Sequence, residues 1–243
     1  MAKRSNIMNA GPWIVSGALV LLCALSTVAV AEVPVPPAPA GAKEKTPFLI
    51  DSFETGRNKN KLSNRADVYM KEPSKTLMTF PEDVIQEKKT HVLKVRYEKF
   101  NKSGPYDSGG WCGYYSLLKS PGALVAPTPD NPNPSPQQEQ FFDASKYASV
   151  TFWVRGEKGD ENFVVGVADF HWDRVGDAVK SEAIGKYLPE GKITTQWQKA
   201  VVPLDQFFVD LAQLASVSIL FEGNLFPDTG HAGIIYVDDL SFE

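Results

Sequence analysis

Two apolar segments near opposite ends of the chain carry carboxylates where apolar residues would be expected. Asp51 and Glu54 lie in the first segment, and Asp238 and Asp239 interrupt the second, at residues 234–242. Carboxylates within strands are unfavourable unless something compensates their charge. Because Ca²⁺ is bound by about six to eight carboxylate and carbonyl oxygens, we expect the first and last strands of one domain to lie side by side around a shared Ca²⁺. Alternatively, one aspartate accepts backbone N–H bonds and the other carboxylates face water.

Two further segments combine aromatic rings with polar groups, the mixture that binds the apolar faces and the hydroxyls of sugars. The first is GGWCGYY at residues 109–115, in which glycines leave open surface over the backbone, and the second is DFHWDR at residues 169–174. We expect Trp111, Tyr114, Tyr115 and Trp172 to stack on sugar rings, and Asp169, His171 and Arg174 to bond hydroxyls. The alternative for Trp111 and Tyr115 is packing beneath the long loop that follows them.

Catalysis is not indicated by any residue constellation in the chain. The sequence contains no Ser-His-Asp arrangement, P-loop, HExxH or CxxC pattern. Acidic neighbours such as Asp169 and Asp173 do not establish the carboxylate separation that a glycosidase needs. Cys112 has no indicated base and is expected to be a small buried thiol. The sequence therefore favours a binding protein, with a small polysaccharide-active enzyme as a less favoured interpretation.

The N-terminal segment and the net charge narrow the function classes. Residues 1–31 have the basic, apolar and small-x-small regions of a secretory signal peptide, and residues 32–46 form a proline-rich linker before a folded domain at 47–243. We expect an exported protein located in the periplasm, at the cell surface or outside the cell. An uncleaved membrane anchor is the alternative, and only then do we expect membrane contact. The formal net charge of −4 argues against nucleic acid as a partner.

The remaining pattern is that of a single all-β domain. Short runs rich in Val, Ile, Tyr, Phe and Trp alternate with Gly, Pro, Asn and Asp clusters, without a β-α rhythm. The predicted strands cover residues 48–53, 77–80, 92–97, 111–118, 150–155, 163–169, 197–202, 217–222 and 234–242, with weaker signals at 68–70 and 178–187. Only residues 204–214 have helical spacing. Residues 120–140 are rich in proline and are predicted to form a long loop, either a flap over a binding face or an insertion.

This succession of segments resembles a known family. In chain order the segments are DSFE (51–54), LKVRY (93–97), GWCGYY (110–115), DASKY (143–147), VTFWVRG (150–156), TQWQK (195–199), VVPL (201–204) and IYVDDL (235–240). Together they are similar to the galactose-binding-like β-jelly-roll of carbohydrate-binding modules attached to bacterial polysaccharide-degrading enzymes. They resemble more weakly the related domain of complex I assembly factors.

The resemblance implies an antiparallel β-sandwich that binds a polysaccharide or oligosaccharide without catalysis. It also implies a structural Ca²⁺ at the place where Asp51, Glu54, Asp238 and Asp239 are expected. The main alternative is a protein-binding or assembly domain of the same fold, which would present a flat apolar patch instead of a concave aromatic groove.

Overall fold

The structure is a computed structural model that describes residues 46–100, 110–122, 139–222 and 231–243. The predicted signal peptide, residues 32–45 of the linker and residues 123–138 of the proline-rich loop lie outside the described residues. The described residues belong to one compact unit, Lys43–Glu243. Among them, no helix has the length and apolar character needed to cross a membrane.

The described residues form thirteen strands and one short α-helix. The elements are β1 (Phe48–Asp51), β2 (Ala66–Met70), β3 (Lys75–Thr79), β4 (Glu82–Ile85), β5 (Lys88–His91), β6 (Leu93–Glu98), β7 (Trp111–Leu117), β8 (Ser149–Gly156), β9 (Val164–Asp169), α1 (Phe170–Val175), β10 (Val179–Ala183), β11 (Gln198–Pro203), β12 (Leu214–Glu222) and β13 (Ala232–Phe242). All the strand pairs are antiparallel.

Eleven of these strands form two large sheets, of six and five strands. The first sheet has the order β11-β8-β13-β6-β3, with β1 paired to β13, and the second has the order β10-β9-β12-β7-β2. One hydrophobic cluster fills the space between them and includes Phe152, Phe163, Phe221 and Phe242, each at most 1% exposed. Alternate residues along each strand enter this core, so the other residues form two outer faces. The predicted antiparallel sandwich is confirmed.

The first and last strands lie side by side, as the paired acidic segments predicted. Phe48 is opposite Phe242 and Leu49 is opposite Ser241, and the register shifts before Asp51 pairs with Leu240. The shift reflects β-bulges, in which an extra residue changes the direction of the neighbouring side chains. These bulges decide where the carboxylates point.

The short helix is not where the sequence placed it. Residues 204–214 form two 3-10 turns and the start of β12, whereas α1 spans Phe170–Val175. The helical spacing of apolar residues at 204–214 arises because Leu204 and Leu214 enter the core from separate elements, so the helix predicted there is wrong. The side chain of Asp169 instead caps α1, and Gly176 ends it in a left-handed conformation with φ of 77°.

A hairpin that the sequence did not predict covers part of the outer face of the first sheet. It consists of β4 and β5, which pair only with each other in the described residues. Ile85 and Val92 pack with Tyr236 in a second apolar cluster, against which Trp153 and Trp197 are partly buried. The two tryptophans therefore pack against this hairpin on the outer face and do not belong to the core between the two sheets.

Candidate functional site

A groove of about 600 Å³ runs across the outer face of the second sheet. Its lining combines aromatic, small, hydroxyl and charged side chains. The lining residues are Tyr69, Gly110, Trp111, Tyr115, Ala168, Asp173, Val175, Gly176, Asp177, Ala178, Lys180, Ser216, Ser218, Leu220 and Glu222. The volume falls within the range of pockets that hold small organic ligands.

Three aromatic rings line the side of the groove that β2 and β7 form. Tyr69 and Trp111 have ring centroids 5.5 Å apart, and Tyr69 and Tyr115 have ring centroids 6.3 Å apart. Tyr69 is paired with Gly113 in the sheet register. A Cβ on Gly113 would lie 2.7 Å from the Tyr69 hydroxyl and 2.0 Å from the Ile219 carbonyl oxygen, so only glycine lets the Tyr69 ring lie there.

The Tyr69 hydroxyl is buried without a hydrogen-bond partner within the described part of the chain. Burial raises the pKa of this phenol, and the charge of Glu222 raises it further. The group therefore stays a neutral O–H at ordinary pH, and its burial keeps it out of reach of a ligand in the groove. Tyr69 is not among the predicted site residues, although the alternation of side chains along β2 places Asp67 and Tyr69 on one face.

Charged side chains line the opposite side of the groove. Lys180 Nζ lies 2.7 Å from Glu222 Oε1 and 3.7 Å from Asp177 Oδ1. Asp173 Oδ2 accepts a hydrogen bond of 2.6 Å from Lys119 Nζ. Ion pairs of this kind hold long side chains in place so that their remaining lone pairs and N–H groups can bond a ligand. None of these residues was predicted, because only the register brings Glu222 on β12 beside Lys180 on β10.

The floor between the two sides is made of small residues. Ser218 is paired with Gly166 and with Tyr115 in the sheet. A Cβ on Gly166 would lie 2.5 Å from Ser218 Oγ, so a larger side chain would fill the groove. The sheet surface is therefore open between the aromatic rings and the charged groups.

Trp111 and Tyr115 enter this groove, but Tyr114 does not. Tyr114 is 1% exposed and lies in the core, where its ring contacts Phe53 edge-on at a centroid distance of 6.1 Å. Successive residues of a strand point to opposite faces, so Tyr114 and Tyr115 cannot share a binding surface. The assignment of Tyr114 to ligand binding is corrected accordingly.

The second predicted segment contributes mainly a helix. Asp169 is 6% exposed, and its carboxylate accepts hydrogen bonds from the backbone N–H groups of His171, Trp172 and Asp210. Burial opposes ionisation of Asp169, but these three donors outweigh it and leave its pKa lowered. Asp169 is thus a structural cap, which corrects its predicted contact with sugar hydroxyls.

The other three predicted residues of this segment lie on α1, outside the lining of the groove. The ring of His171 contacts Trp172 edge-on at 6.1 Å, and the guanidinium of Arg174 lies 5.6 Å from the centroid of Phe170. The helix nevertheless borders the groove, because Asp173 and Val175 line it.

The predicted metal ligands are divided among three places. Thr90 Oγ1 lies 2.7 Å from Glu54 Oε1 and 3.2 Å from Asp238 Oδ2. One hydroxyl proton cannot satisfy both carboxylates, and burial, followed by the charge of Asp239, raises the pKa of Asp238 to about 7. These three side chains offer only oxygen atoms, the type of ligand that Ca²⁺ prefers.

Asp51 and Asp239 do not join that cluster. Asp51 is 4% exposed, accepts a hydrogen bond from Phe53 N and lies near Tyr114. Asp239 lines a separate hollow on the outer face of the first sheet. Within the described residues, no group of three or more His, Cys, Asp or Glu side chains is placed to hold a metal. The Ca²⁺ site stays a prediction, and its strongest candidates are Glu54 and Asp238.

The fold and the groove define a β-sandwich binding module with an open face that is lined by aromatic and charged side chains. Residues 134–243 match the model of a family described as carbohydrate binding domain 30. The predicted likeness to jelly-roll carbohydrate-binding modules is confirmed, and the match supports carbohydrate binding without catalysis. No curated protein matches the chain.

A solved structure has the same fold. The family 11 carbohydrate-binding module of Clostridium thermocellum, in complex with a β-1,3-1,4-mixed-linked tetrasaccharide, is 14% identical, with a TM-score of 0.52 over 81% of this chain and 94% of that one. The family 30 module of a cellulosomal cellulase from the same organism is 16% identical, with a TM-score of 0.46 over 82% of this chain and 92% of that one.

Proposed function

We propose that the groove on the outer face of the second sheet is the carbohydrate-binding site, and that it holds a neutral β-glucan chain. The observation that carries this proposal is the placement of Tyr69, Trp111 and Tyr115 side by side along one wall, opposite the Lys180–Glu222 ion pair. Aromatic faces stack on the C–H faces of sugar rings, and the charged groups bond the equatorial hydroxyls.

The charge of the groove favours a neutral glycan over an acidic one. Of the described residues that line it, Asp173, Asp177 and Glu222 are acidic and Lys180 alone is basic, and Lys180 is already paired. A uronate chain would place its carboxylates near these acids without a free counter-charge. The likeness to the family 11 module carries the fold alone, but the β-1,3-1,4-linked tetrasaccharide bound to that protein makes a mixed-linked β-glucan the first ligand to test.

The same groups support binding without hydrolysis. Glu222 and Asp173 are each paired with a lysine, at 2.7 and 2.6 Å. A glycosidase needs a carboxyl group that is positioned to pass its proton to the glycosidic oxygen, whereas both of these groups are held by a lysine partner. We therefore propose a non-catalytic module. A protein-binding role would favour a flat apolar patch, whereas this concave face contains hydroxyl and charged groups throughout.

Two finer parts of the proposal concern the cation and the location of the protein. We propose that Glu54, Asp238 and Thr90 hold a Ca²⁺ that fixes the β5 strand to β13, and that the ion has a structural role. The signal-like residues 1–31 support export, so that the module would meet polysaccharide outside the cytoplasm.

Calorimetric titration with the β-1,3-1,4-linked tetrasaccharide tests the groove. Trp111→Ala and Tyr115→Ala should each weaken binding about tenfold or more, which corresponds to roughly 1.4 kcal/mol for a lost stacking contact. Trp172→Ala is the matched control, because this ring lies outside the groove lining and should leave the affinity within about twofold. Polygalacturonate should not bind.

Unchanged affinity in both groove variants, with the fold intact by circular dichroism, would place the sugar elsewhere. Loss of binding in Trp172→Ala instead would place the sugar at α1, in the second of the two segments that the sequence predicted, residues 169–174.

A further inference from the structure

We propose that the protein has a second saccharide site, on the outer face of the first sheet, which binds a short neutral sugar of one or two rings. This inference goes beyond the proposed groove and does not depend on it. The site is a hollow of about 290 Å³, at the small end of ligand pockets. The lining residues are Leu49, Thr151, Phe152, Trp153, Lys199, Asp239, Ser241 and Glu243.

The hollow is built by four neighbouring strands. Trp153 on β8 is paired with Lys199 on β11, and Thr151 is paired with Ser241 on β13. Ser241 is in turn paired with Leu49 on β1. The register therefore places the Trp153 ring, Lys199 and two hydroxyl residues on a single patch about three strand spacings, or roughly 14 Å, wide. Thr151 and Ser241 are only 1% and 7% exposed, and Ser241 Oγ donates to Asp239 O, so they form the floor of the hollow rather than its accessible groups.

The backbone and the side chain of Asp239 are the main evidence that this patch binds a ligand. Its backbone is left-handed, with φ of 48°, although it is not a glycine. It lies where the register of β13 shifts between Asp238 and Ser241, so it occupies a β-bulge. Bulges redirect side chains and are over-represented next to active sites, and aspartate adopts the left-handed backbone more readily than most residues. The exposed Asp239 carboxylate accepts no hydrogen bond and forms no ion pair within the described part of the chain.

The chemistry of the hollow suits a sugar better than an ion or an apolar molecule. Lys199 Nζ is paired with Glu243 Oε1 at 2.7 Å, with side chains 40% and 35% exposed, so both can also reach a ligand. The Trp153 ring is partly buried beside the hairpin cluster and lends an apolar surface to the hollow. An aromatic surface, an unpaired acceptor and a donor pair bond the C–H face and vicinal hydroxyls of a pyranose.

Two sites on opposite faces of one sandwich would have a functional consequence. One protein molecule could then engage two glycan chains, because the two sites lie on opposite outer faces of the sandwich. Binding to a polysaccharide surface would then gain avidity from the second site, and soluble polysaccharide would be cross-linked.

The test uses the indole N–H signals of Trp111 and Trp153 in ¹⁵N-labelled protein, assigned with Trp111→Phe and Trp153→Phe. The full chain after any signal cleavage is titrated with cellobiose and with the β-1,3-1,4-linked tetrasaccharide, at fixed calcium concentration. We expect both signals to shift, along two separate saturation curves. Asp239→Asn keeps a residue that tolerates the left-handed backbone and should weaken the Trp153 curve at least threefold while leaving the Trp111 curve unchanged. Val201→Ala, an exposed position on β11 outside the hollow, is the control.

Each outcome separates the two sites. A Trp153 signal that does not move when Trp111 is saturated, or a Trp153 curve that Asp239→Asn does not weaken, overturns the second site and leaves the groove standing. Movement of Trp153 alone supports the second site and contradicts the proposed groove. If neither signal moves with either sugar, both proposals are wrong for β-glucans.

Discussion

Three buried carboxylates are exceptions to the apolar interior that a β-sandwich normally has. Asp51, Asp169 and Asp238 are each at most 6% exposed, yet each has a different environment. Asp169 accepts from three backbone N–H groups, Asp238 accepts from Asp239 N and shares the Thr90 hydroxyl with Glu54, and Asp51 accepts from Phe53 N, 2.8 Å away. Burial outweighs the donors at Asp51 and Asp238 and raises their pKa values, whereas the three backbone donors of Asp169 outweigh its burial and lower its pKa.

At the residue scale, Asp51→Asn should stabilise the protein near neutral pH. Burial raises the pKa of Asp51 from 3.8 to about 6, so the unfolded chain ionises first as pH rises. The folded state loses about 3 kcal/mol of stability between roughly pH 4 and 6, and the loss remains above pH 6. Asparagine keeps the acceptor for Phe53 N without this penalty. Urea unfolding at pH 4 and pH 7 should show a gain of about 2–3 kcal/mol at pH 7 and almost none at pH 4.

The same variant discriminates between two interpretations of Asp51. A loss of stability at pH 7 that depends on added calcium would restore Asp51 as a cation ligand, as the sequence predicted.

At the scale of elements, α1 depends on one side chain. Asp169→Ala removes the acceptor of three backbone N–H bonds and should lower the free energy of unfolding by about 2–4 kcal/mol. Because Asp173 on α1 lines the groove, sugar affinity should also fall, but less than in Trp111→Ala. Asp205→Ala, at an exposed position, is the control for losing an aspartate. An unchanged melting curve for Asp169→Ala would show that the cap contributes no stability.

The β4–β5 hairpin has a turn of unfavourable composition. Gln86 and Glu87 form its two-residue loop with φ of 47° and 66°, conformations that Asn-Gly adopts readily. Gln86→Asn combined with Glu87→Gly should therefore raise the free energy of unfolding by about 1–2 kcal/mol in urea titrations. Replacing Glu87 by alanine removes the same charge but keeps the strain and should give no gain. Equal effects of glycine and alanine would refute the explanation by backbone strain.

At the scale of the whole molecule, the proposed Ca²⁺ would join three distant parts of the chain. Glu54 follows β1, Thr90 lies on β5 and Asp238 lies on β13. An ion bound only to the folded state and present at about 100 times its dissociation constant contributes roughly 2.7 kcal/mol. Chelator should therefore lower the melting temperature, and Glu54→Gln should abolish this response. Glu190→Gln, at an exposed position, should retain it. A melting temperature that is indifferent to calcium and chelator would contradict the cation site.

The sequence by itself determined the class of fold and much of its strand composition. Alternating and continuous apolar runs lie in strands because burial on one or both faces of a sheet requires them, as in 150–155 and 234–242. It also indicated that the first and last strands pair, because carboxylates within apolar strands are costly unless their charge is compensated. It selected Trp111 and Tyr115, whose glycine neighbours leave the sheet surface open.

The tertiary structure alone decided which side chains meet. Tyr69, Lys180 and Glu222 come from three strands that are distant in sequence, and only the register of the second sheet brings them to one groove. Tyr114 and Asp169 have suitable chemistry but face the core and a helix terminus. Local pattern specifies the period of a strand, whereas the pairing partner and the bulges, which depend on long-range contacts, specify the face on which each side chain lies.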